Sequence, residues 1–185
     1  ESVVHIYKIL LAHPVSHETR LVDIGTGPGL PGYIFYTLKN PPYITLIDSQ
    51  MRRLGILEKF HTEKYKDSKV KFVYARVEDI KEKFDLVIMR STIKYPWSAE
   101  MIYGLLKLNS SFIPFLAKRN YDLKFEQMFL ENLGLKIEKD FDIPELEFLG
   151  NRHVKVLKKI AESKKGFPRK WEAISKEIKR TSWEK

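Results

Sequence analysis

The segment that most constrains the fold is a glycine-rich stretch directly after a short apolar run. Residues 21–24, Leu-Val-Asp-Ile, are typical of a buried strand, and Gly-Thr-Gly-Pro-Gly follows at positions 25–29. Glycine lets the backbone approach a ligand closely. A second apolar run, residues 43–47, ends at Asp48, where a carboxylate can accept the hydrogen bonds of a ribose diol. The pattern predicts a nucleoside-binding α/β fold; a purely structural turn is the alternative.

Apolar periodicity divides the rest of the chain into alternating helices and strands. Helices are expected over residues 3–12, 51–65, 97–108 and 123–133, and further strands over 70–77, 84–89 and 112–116. This alternation predicts an α/β protein with a mostly parallel sheet and helices on both faces. Residues 136–143 and 153–160 have no clear helix between them, so we expect them to add an antiparallel edge.

Composition excludes several classes of protein. The 185 residues suit about one domain. Cysteine is absent, which excludes disulfide scaffolds, cysteine-based zinc sites and thiolate catalysis, and the histidine spacing predicts no metal site. No apolar run approaches the roughly 18 residues that span a bilayer, and no signal-peptide pattern is present. We therefore expect a cytoplasmic protein with no membrane partner.

The net charge of +9 is concentrated near the C-terminus. Residues 152–185 contain 12 basic and 4 acidic residues, a net of +8. We expect one domain over residues 1–160, with residues 1–20 as its N-terminal helix and connector, and a basic C-terminal extension over residues 161–185. The extension has two interpretations: a solvated, partly disordered tail, or a surface that contacts nucleic acid.

The glycine pattern is compatible with two cofactors. Gly27, Gly29 and Gly32 formally match the dinucleotide fingerprint of an NAD(P)-linked oxidoreductase. That register begins two residues late, and the prolines at positions 28 and 31 remove N–H donors that a pyrophosphate would use. Gly25, Gly27 and Gly29, directly after the strand, look instead like the S-adenosylmethionine loop of Rossmann-like methyltransferases. A non-catalytic RNA-binding module is a third hypothesis.

Residues 21–32, Leu-Val-Asp-Ile-Gly-Thr-Gly-Pro-Gly-Leu-Pro-Gly, resemble the signature of the bacterial 16S rRNA guanine-N7 methyltransferases, also called glucose-inhibited division protein B. Other similar segments follow in the family's order: Leu46-Ile47-Asp48-Ser49 with Arg52-Arg53, Arg76-Val77-Glu78, Phe84-Asp85 with Arg90, and Arg152-His153 with Phe167-Pro168-Arg169-Lys170. The resemblance implies a Rossmann-like methyltransferase domain over residues 1–160.

The activity implied by the resemblance is transfer of the methyl group of S-adenosylmethionine to N7 of a guanine in the decoding-region loop of 16S rRNA. The product would be S-adenosylhomocysteine. The expected partner is 16S rRNA or a small ribosomal subunit particle, and the expected protein is a monomer. Guanine N7 offers a lone pair without deprotonation, so no general base is required.

The resemblance also implies roles for individual residues. Gly25, Gly27 and Leu30 would line the cofactor, as would Gly29 from the loop pattern; Asp48 would hold the ribose, and Val77 and Glu78 would flank the adenine. Arg90 is the eighth predicted cofactor-binding residue, and it would lie at the mouth of the site, near the cofactor and the target base.

Two groups of basic residues are predicted to act on the RNA. Arg90 and Lys118 are the candidate catalytic residues, as donors to guanine O6 or to phosphate. The alternative for Arg90 is a structural salt bridge to Asp85 or Glu78. The predicted RNA contacts are Arg152, His153, Arg169 and Lys170.

Overall fold

The strands of the protein account for the apolar runs of the sequence. A computed structural model describes residues 1–90, 92–117 and 122–181. Its strands are β1 Arg20–Ile24, β2 Tyr43–Asp48, β3 Val70–Tyr74, β4 Phe84–Arg90, β5 Leu106–Leu116, β6 Leu135–Asp142 and β7 His153–Lys159. Both the alternating region and the predicted C-terminal strand pair are present.

The seven strands form one sheet in the order β3-β2-β1-β4-β5-β7-β6. β1 pairs in parallel with β2 and with β4, and β4 pairs in parallel with β5. β7 runs antiparallel to both β5 and β6. The fold prediction is therefore confirmed: the sheet is mostly parallel with an antiparallel edge. The strand order reverses between β1 and β4, and ligands of such sheets bind at the carboxyl ends of the strands there.

Within the described ranges, five α-helices surround the sheet: α1 Ser2–Ala12, α2 Met51–Lys64, α3 Trp97–Ile102, α4 Leu123–Asn132 and α5 Trp171–Arg180. Short 3-10 helices cover Gly32–Thr37, Val77–Asp79, Tyr103–Leu105 and Pro144–Leu149. The Asp122 side chain caps α4 by accepting from the Lys124 N–H at 2.7 Å and the Phe125 N–H at 3.1 Å.

Two element predictions are wrong at their ends. The helix expected over residues 97–108 ends at Ile102, and β5 already begins at Leu106, because Leu106 pairs with Phe84 of β4. The strand expected over residues 70–77 ends at Tyr74, and its last expected residue, Val77, begins a 3-10 helix instead. In both cases sheet pairing decides where the strand begins or ends.

Apolar side chains fill both faces of the sheet. One core cluster contains Val22, Val87 and Phe112 and packs under α3, α4 and α5. The other contains Leu21, Leu86 and Ile113, from alternate positions of the same strands, and packs under α1 and α2. Parallel strands buried on both faces explain why the sequence shows continuous apolar runs rather than alternation.

The C-terminal segment folds onto this body. Ile174 of α5 is fully buried, and Trp171 and Ile178 pack against the core cluster beneath α3 and α4. The interpretation as a solvated tail is therefore wrong for Trp171–Arg180, because one face of this helix is apolar.

No helix within the described ranges combines the length and apolar character that a membrane crossing requires.

Candidate functional site

A cavity of about 510 Å³ opens at the carboxyl ends of β1, β2 and β4. These strands meet where the strand order reverses, so the cavity lies where the fold predicts a ligand. Its lining is Ile24, Gly25, Gly27, Ile47, Asp48, Ser49, Gln50, Arg53, Ala75, Arg76, Val77, Glu78, Arg90, Thr92, Ile93, Met101 and Trp171. Six of the eight predicted cofactor residues are in this set.

The glycine loop after β1 has two parts with different surroundings. Gly25 lines the cavity with φ +68°, and a Cβ there would lie 2.2 Å from the Thr92 Oγ1. Gly29, with φ +98°, lies outside the lining, and a Cβ there would lie 2.1 Å from a methyl carbon of Leu57 on α2. The side chain of Leu30 is 40% exposed and is also outside the lining. Gly29 therefore packs the loop against α2, and the Leu30 side chain is partly exposed to solvent, whereas Gly25 faces the cavity.

Asp48 joins the glycine loop to the end of β2. Its Oδ2 accepts a hydrogen bond from the Gly27 N–H at 2.7 Å, and its Oδ1 accepts one from the Gln50 N–H at 2.8 Å. Each carboxylate oxygen has a second lone pair. The carboxylate thus orders the loop and can still accept hydrogen bonds from a ligand in the cavity.

Asp23 supports the loop from below. Its buried Oδ2 accepts from the Thr26 hydroxyl at 2.7 Å and from the Gly32 N–H at 2.8 Å. Its Oδ1 is buried and receives no hydrogen bond from the described residues. Burial raises the pKa of Asp23 to about 6, and the hydrogen bonds and the positive charge of Arg90 oppose that rise. Folding therefore makes Asp23 easier to protonate than an ordinary aspartate.

Arg90 lies at the carboxyl end of β4 on the cavity wall. Its Nη1 donates to the Ser2 hydroxyl of α1 at 2.7 Å. Asp85, the partner in the alternative interpretation, instead accepts from the Lys107 ammonium at 2.6 Å and from the Arg20 N–H at 2.9 Å. The side chain of Arg90 is thus held at the cavity wall by a hydrogen bond to the N-terminal helix.

Several lining residues were not singled out from the sequence. Ile93, Met101 and Trp171 form an apolar wall beside Val77, and Arg53 and Arg76 add positive charge. Arg53 and Arg76 stood within segments that resembled the family. Nothing local in the sequence marks Trp171, because it reaches the cavity only through the docking of α5.

The four predicted RNA contacts occupy different environments. Arg152 donates through Nε to Glu1 at 2.7 Å, and Lys170 is exposed before α5. His153 is only 1% exposed and donates through Nδ1 to the Ala117 carbonyl oxygen at 3.0 Å. Arg169 forms a two-pronged ion pair with Glu100 of α3, its Nη2 lying 2.8 Å from Oε2. Lys118, the second candidate catalytic residue, lies outside the described residues.

Solved structures with the same fold include several methyltransferases. Magnesium protoporphyrin IX methyltransferase from Synechocystis, solved with bound SAM, aligns with TM-score 0.64 and 13% identity over 85% of this chain and 77% of that chain. An rRNA methylase from Streptococcus thermophilus aligns with TM-score 0.59 and 14% identity over 85% of this chain and 96% of that one. The [4+2]-cyclase SpnF aligns with TM-score 0.65 at 13% identity, over 85% of this chain and 81% of that one. At these identities the likeness shows the fold alone.

Sequence relatives are more informative than the fold. The ribosomal RNA small subunit methyltransferase G of Leptospira biflexa is 44% identical over 183 residues, which are 97% of this chain and 74% of that protein. The protein of the same name from Ligilactobacillus salivarius is 31% identical over 90% of this chain and 74% of its own length. The GidB family model, described as rRNA small subunit methyltransferase G, matches residues 2–132. The chain belongs to this family of rRNA methyltransferases.

Proposed function

We propose that this protein transfers the methyl group of S-adenosylmethionine to N7 of a guanine in the decoding-region loop of 16S rRNA. The substrate is the RNA or a small-subunit particle, and the enzyme acts as a cytoplasmic monomer. The observation that carries the proposal is the glycine loop, which is hydrogen-bonded to Asp48 on the cavity wall. Arg90 lies on the same wall, in a chain of the small-subunit rRNA methyltransferase family.

The residues of the cavity fit S-adenosylmethionine. A volume of about 510 Å³ lies within the usual range of small-ligand sites. Gly25 leaves backbone accessible, and the Asp48 oxygens have lone pairs that suit a ribose diol. Val77 and Glu78 face the cavity from the 3-10 helix after β3, where they would flank the adenine.

Methyl transfer to guanine N7 requires the protein to orient the base and the cofactor, and requires no proton transfer. When bound, S-adenosylmethionine supplies a methyl group activated by its positively charged sulfur. Guanine N7 brings its own lone pair, so this chain's residues need to hold the base in line and exclude water. Arg90, held by Ser2, has further N–H groups that can donate to guanine O6 or phosphate while N7 stays free. The same role is proposed for Lys118.

Contacts to the rest of the RNA are assigned to two cations of the C-terminal region. Lys170 is exposed, and Arg152 is half-buried beside Glu1 with 21% of its side chain exposed. His153 is not among the proposed RNA contacts, because its ring is buried. Arg169 is not among them either, because its guanidinium forms an ion pair with Glu100.

The test is methyl transfer from labelled S-adenosylmethionine to two substrates, naked 16S rRNA and small-subunit particles that lack N7 methylation. We expect label in one guanine of the decoding-region loop, mapped by cleavage at N7-methylguanine. Asp48→Asn should weaken cofactor affinity roughly ten- to a hundred-fold, because hydrogen bonds to a charged carboxylate are lost. Lys136→Gln, an exposed change on β6, is the matched control.

Two outcomes would contradict the proposal. Binding of NAD(H) but not S-adenosylmethionine in calorimetry would favour the oxidoreductase hypothesis. RNA binding without any cofactor affinity would favour the non-catalytic module. Sedimentation of the free protein tests the monomer.

A further inference from the structure

The C-terminal helix supplies a wall of the candidate cofactor cavity. Trp171, the first residue of α5, lines the 510 Å³ cavity and also an adjoining cavity of about 580 Å³. Val77, Glu78 and Met101 line both cavities as well. Trp171 therefore lies at the boundary between the two spaces, next to the residues proposed to flank adenine.

The cavity has a polar end and an apolar end. Gly25, Gly27, Asp48 and Arg90 belong to the strand ends and glycine loop, and present backbone and charged groups. The apolar lining residues present hydrocarbon and one indole ring, and pack against the core cluster on the α3 and α5 side: Val77, Ile93, Met101 and Trp171. A nucleoside joined to an amino acid has the same division, with an aromatic base at one end.

Ionic contacts hold Trp171 in this position. Glu100 of α3 is 1% exposed, and its Oε1 accepts from the Arg169 backbone N–H at 2.6 Å and from Nε at 3.0 Å. The remaining guanidinium nitrogens of Arg169 bond Glu100 Oε2 and Glu177 of α5. Arg169 thus links α3 to α5, whose first residue is Trp171.

We propose that Trp171 binds the cofactor by packing its ring against the adenine, and that Arg169 is a positioning residue that fixes Trp171 through Glu100. The inference rests on the proposed function, since that supplies the adenine. It gives Arg169, predicted from the sequence as an RNA contact, a different role. An indole face suits a purine because the base offers a flat π-face on which a large aromatic ring can stack.

The first experiment compares Trp171→Phe and Trp171→Leu by calorimetric titration with S-adenosylhomocysteine. Loss of the aromatic face in the leucine variant should weaken binding roughly ten- to a hundred-fold, whereas phenylalanine should stay within about five-fold of wild type. The sequence contains a third tryptophan, Trp183, so fluorescence is measured in a Trp183→Phe background. There the ligand should quench the signal when Trp171 is present and not in Trp171→Phe, since Trp97 is buried in the core. Lys176→Ala, exposed on the same helix, is the control.

The outcomes separate this inference from the proposed function. If wild type fails to bind S-adenosylhomocysteine, the proposed cofactor is wrong. If wild type binds it and Trp171→Leu binds equally well with an unchanged melting temperature, the role of Trp171 is wrong. If the leucine variant unfolds, the phenylalanine variant decides the question. A ligand-induced quench in Trp171→Phe as large as in the protein that retains Trp171 refutes the contact.

A second experiment distinguishes positioning from RNA contact at Arg169. Arg169→Lys should weaken S-adenosylhomocysteine binding and leave the salt dependence of RNA affinity unchanged, because the lysine preserves charge and loses the fork on Glu100. Arg169→Gln should weaken the ligand further without changing the slope. A slope reduced by about one with unchanged ligand affinity would assign Arg169 to the RNA and overturn its positioning role.

Discussion

The carboxylates that order the two halves of the molecule have different partners. In the cofactor half, which comprises β1–β4 and the glycine loop, Asp23 and Asp48 accept hydrogen bonds from backbone N–H groups and so shape a loop. In the C-terminal half, from α3 to α5, Glu126 and Glu100 accept from Lys155 and Arg169 and so join elements. The first two carboxylates thus bind backbone N–H groups, and the last two bind cations.

This difference changes the meaning of the charge surplus. The segment from residue 152 onwards holds a net +8, which the sequence suggested as an RNA surface. Lys155 and Lys159 are only 1% and 2% exposed, and Arg169 is paired with Glu100 and Glu177. Part of the positive charge therefore lies inside the fold, and another part, which includes Lys170 and Lys176, faces solvent.

The largest effect should come from breaking a buried ion pair of the C-terminal half. Lys155 lies 2.5 Å from Glu126 and 3.2 Å from Asp140, and the Tyr95 hydroxyl also donates to Glu126. Lys155→Met would leave Glu126 buried without its cation, and should lower the free energy of unfolding by about 3–5 kcal/mol. Denaturant unfolding measures the loss.

The double variant Lys155→Met with Glu126→Gln is the control for that experiment. It removes both charges, so it should recover much of the stability lost in the single variant. Equal stability of Lys155→Met and wild type would mean that the C-terminal half does not depend on its internal cations.

Sequence reasoning succeeded where the signal was local. The run at residues 21–24 leads directly into the glycines, and Asp48 ends the next predicted strand, 21 residues after Gly27. Neighbouring parallel strands bring their ends together, so the loop and the carboxylate could be placed in advance. The glycine pattern predicts a ligand contact at Gly29, because no residue near it in the sequence indicates that Leu57 of α2 fills the space beside it. Trp171 and Lys155 depend on contacts with residues dozens of positions away, and a charge count cannot distinguish a buried lysine from an exposed one.

A smaller loss of stability is expected from the glycine loop. Gly25→Ala would place a Cβ 2.2 Å from Thr92 Oγ1 and force an alanine into φ +68°, which together should cost about 2–4 kcal/mol. Cofactor affinity should fall as well, since Gly25 lines the cavity. Thermal melts and calorimetry would measure the two effects.

Gly27→Ala is the matched control in the same loop. Its φ is +59°, but no atom lies within 4 Å of an added Cβ, so only the backbone strain of about 1–2 kcal/mol remains. If the two alanine variants lose equal stability, close packing of the loop against Thr92 is not what requires glycine at position 25.

The pH dependence of stability should depend on Asp23. Its folded pKa of about 6 is above its ordinary value of 3.8, so its contribution is full below the ordinary value and lost as pH rises through about 6. Between about pH 4 and pH 7, wild type should therefore lose about 2–3 kcal/mol relative to Asp23→Asn. Unfolding at both pH values, repeated in about 0.5 M salt, tests this, because a buried group is little screened. A pH-independent difference would contradict it.

The smallest effect on the fold concerns the exposed cations beside and on α5. Replacing Lys170, Lys176 and Lys179 by glutamine should change stability by less than about 0.5 kcal/mol, because these side chains face solvent. Binding of 16S rRNA should nevertheless lose up to about 0.7–0.9 of salt slope for each phosphate contact removed. A variant with Lys66, Lys124 and Lys136 replaced carries the same charge change elsewhere on the surface. If both variants reduce the slope equally, RNA responds to total charge, and the division between internal cations and a local RNA surface on α5 fails.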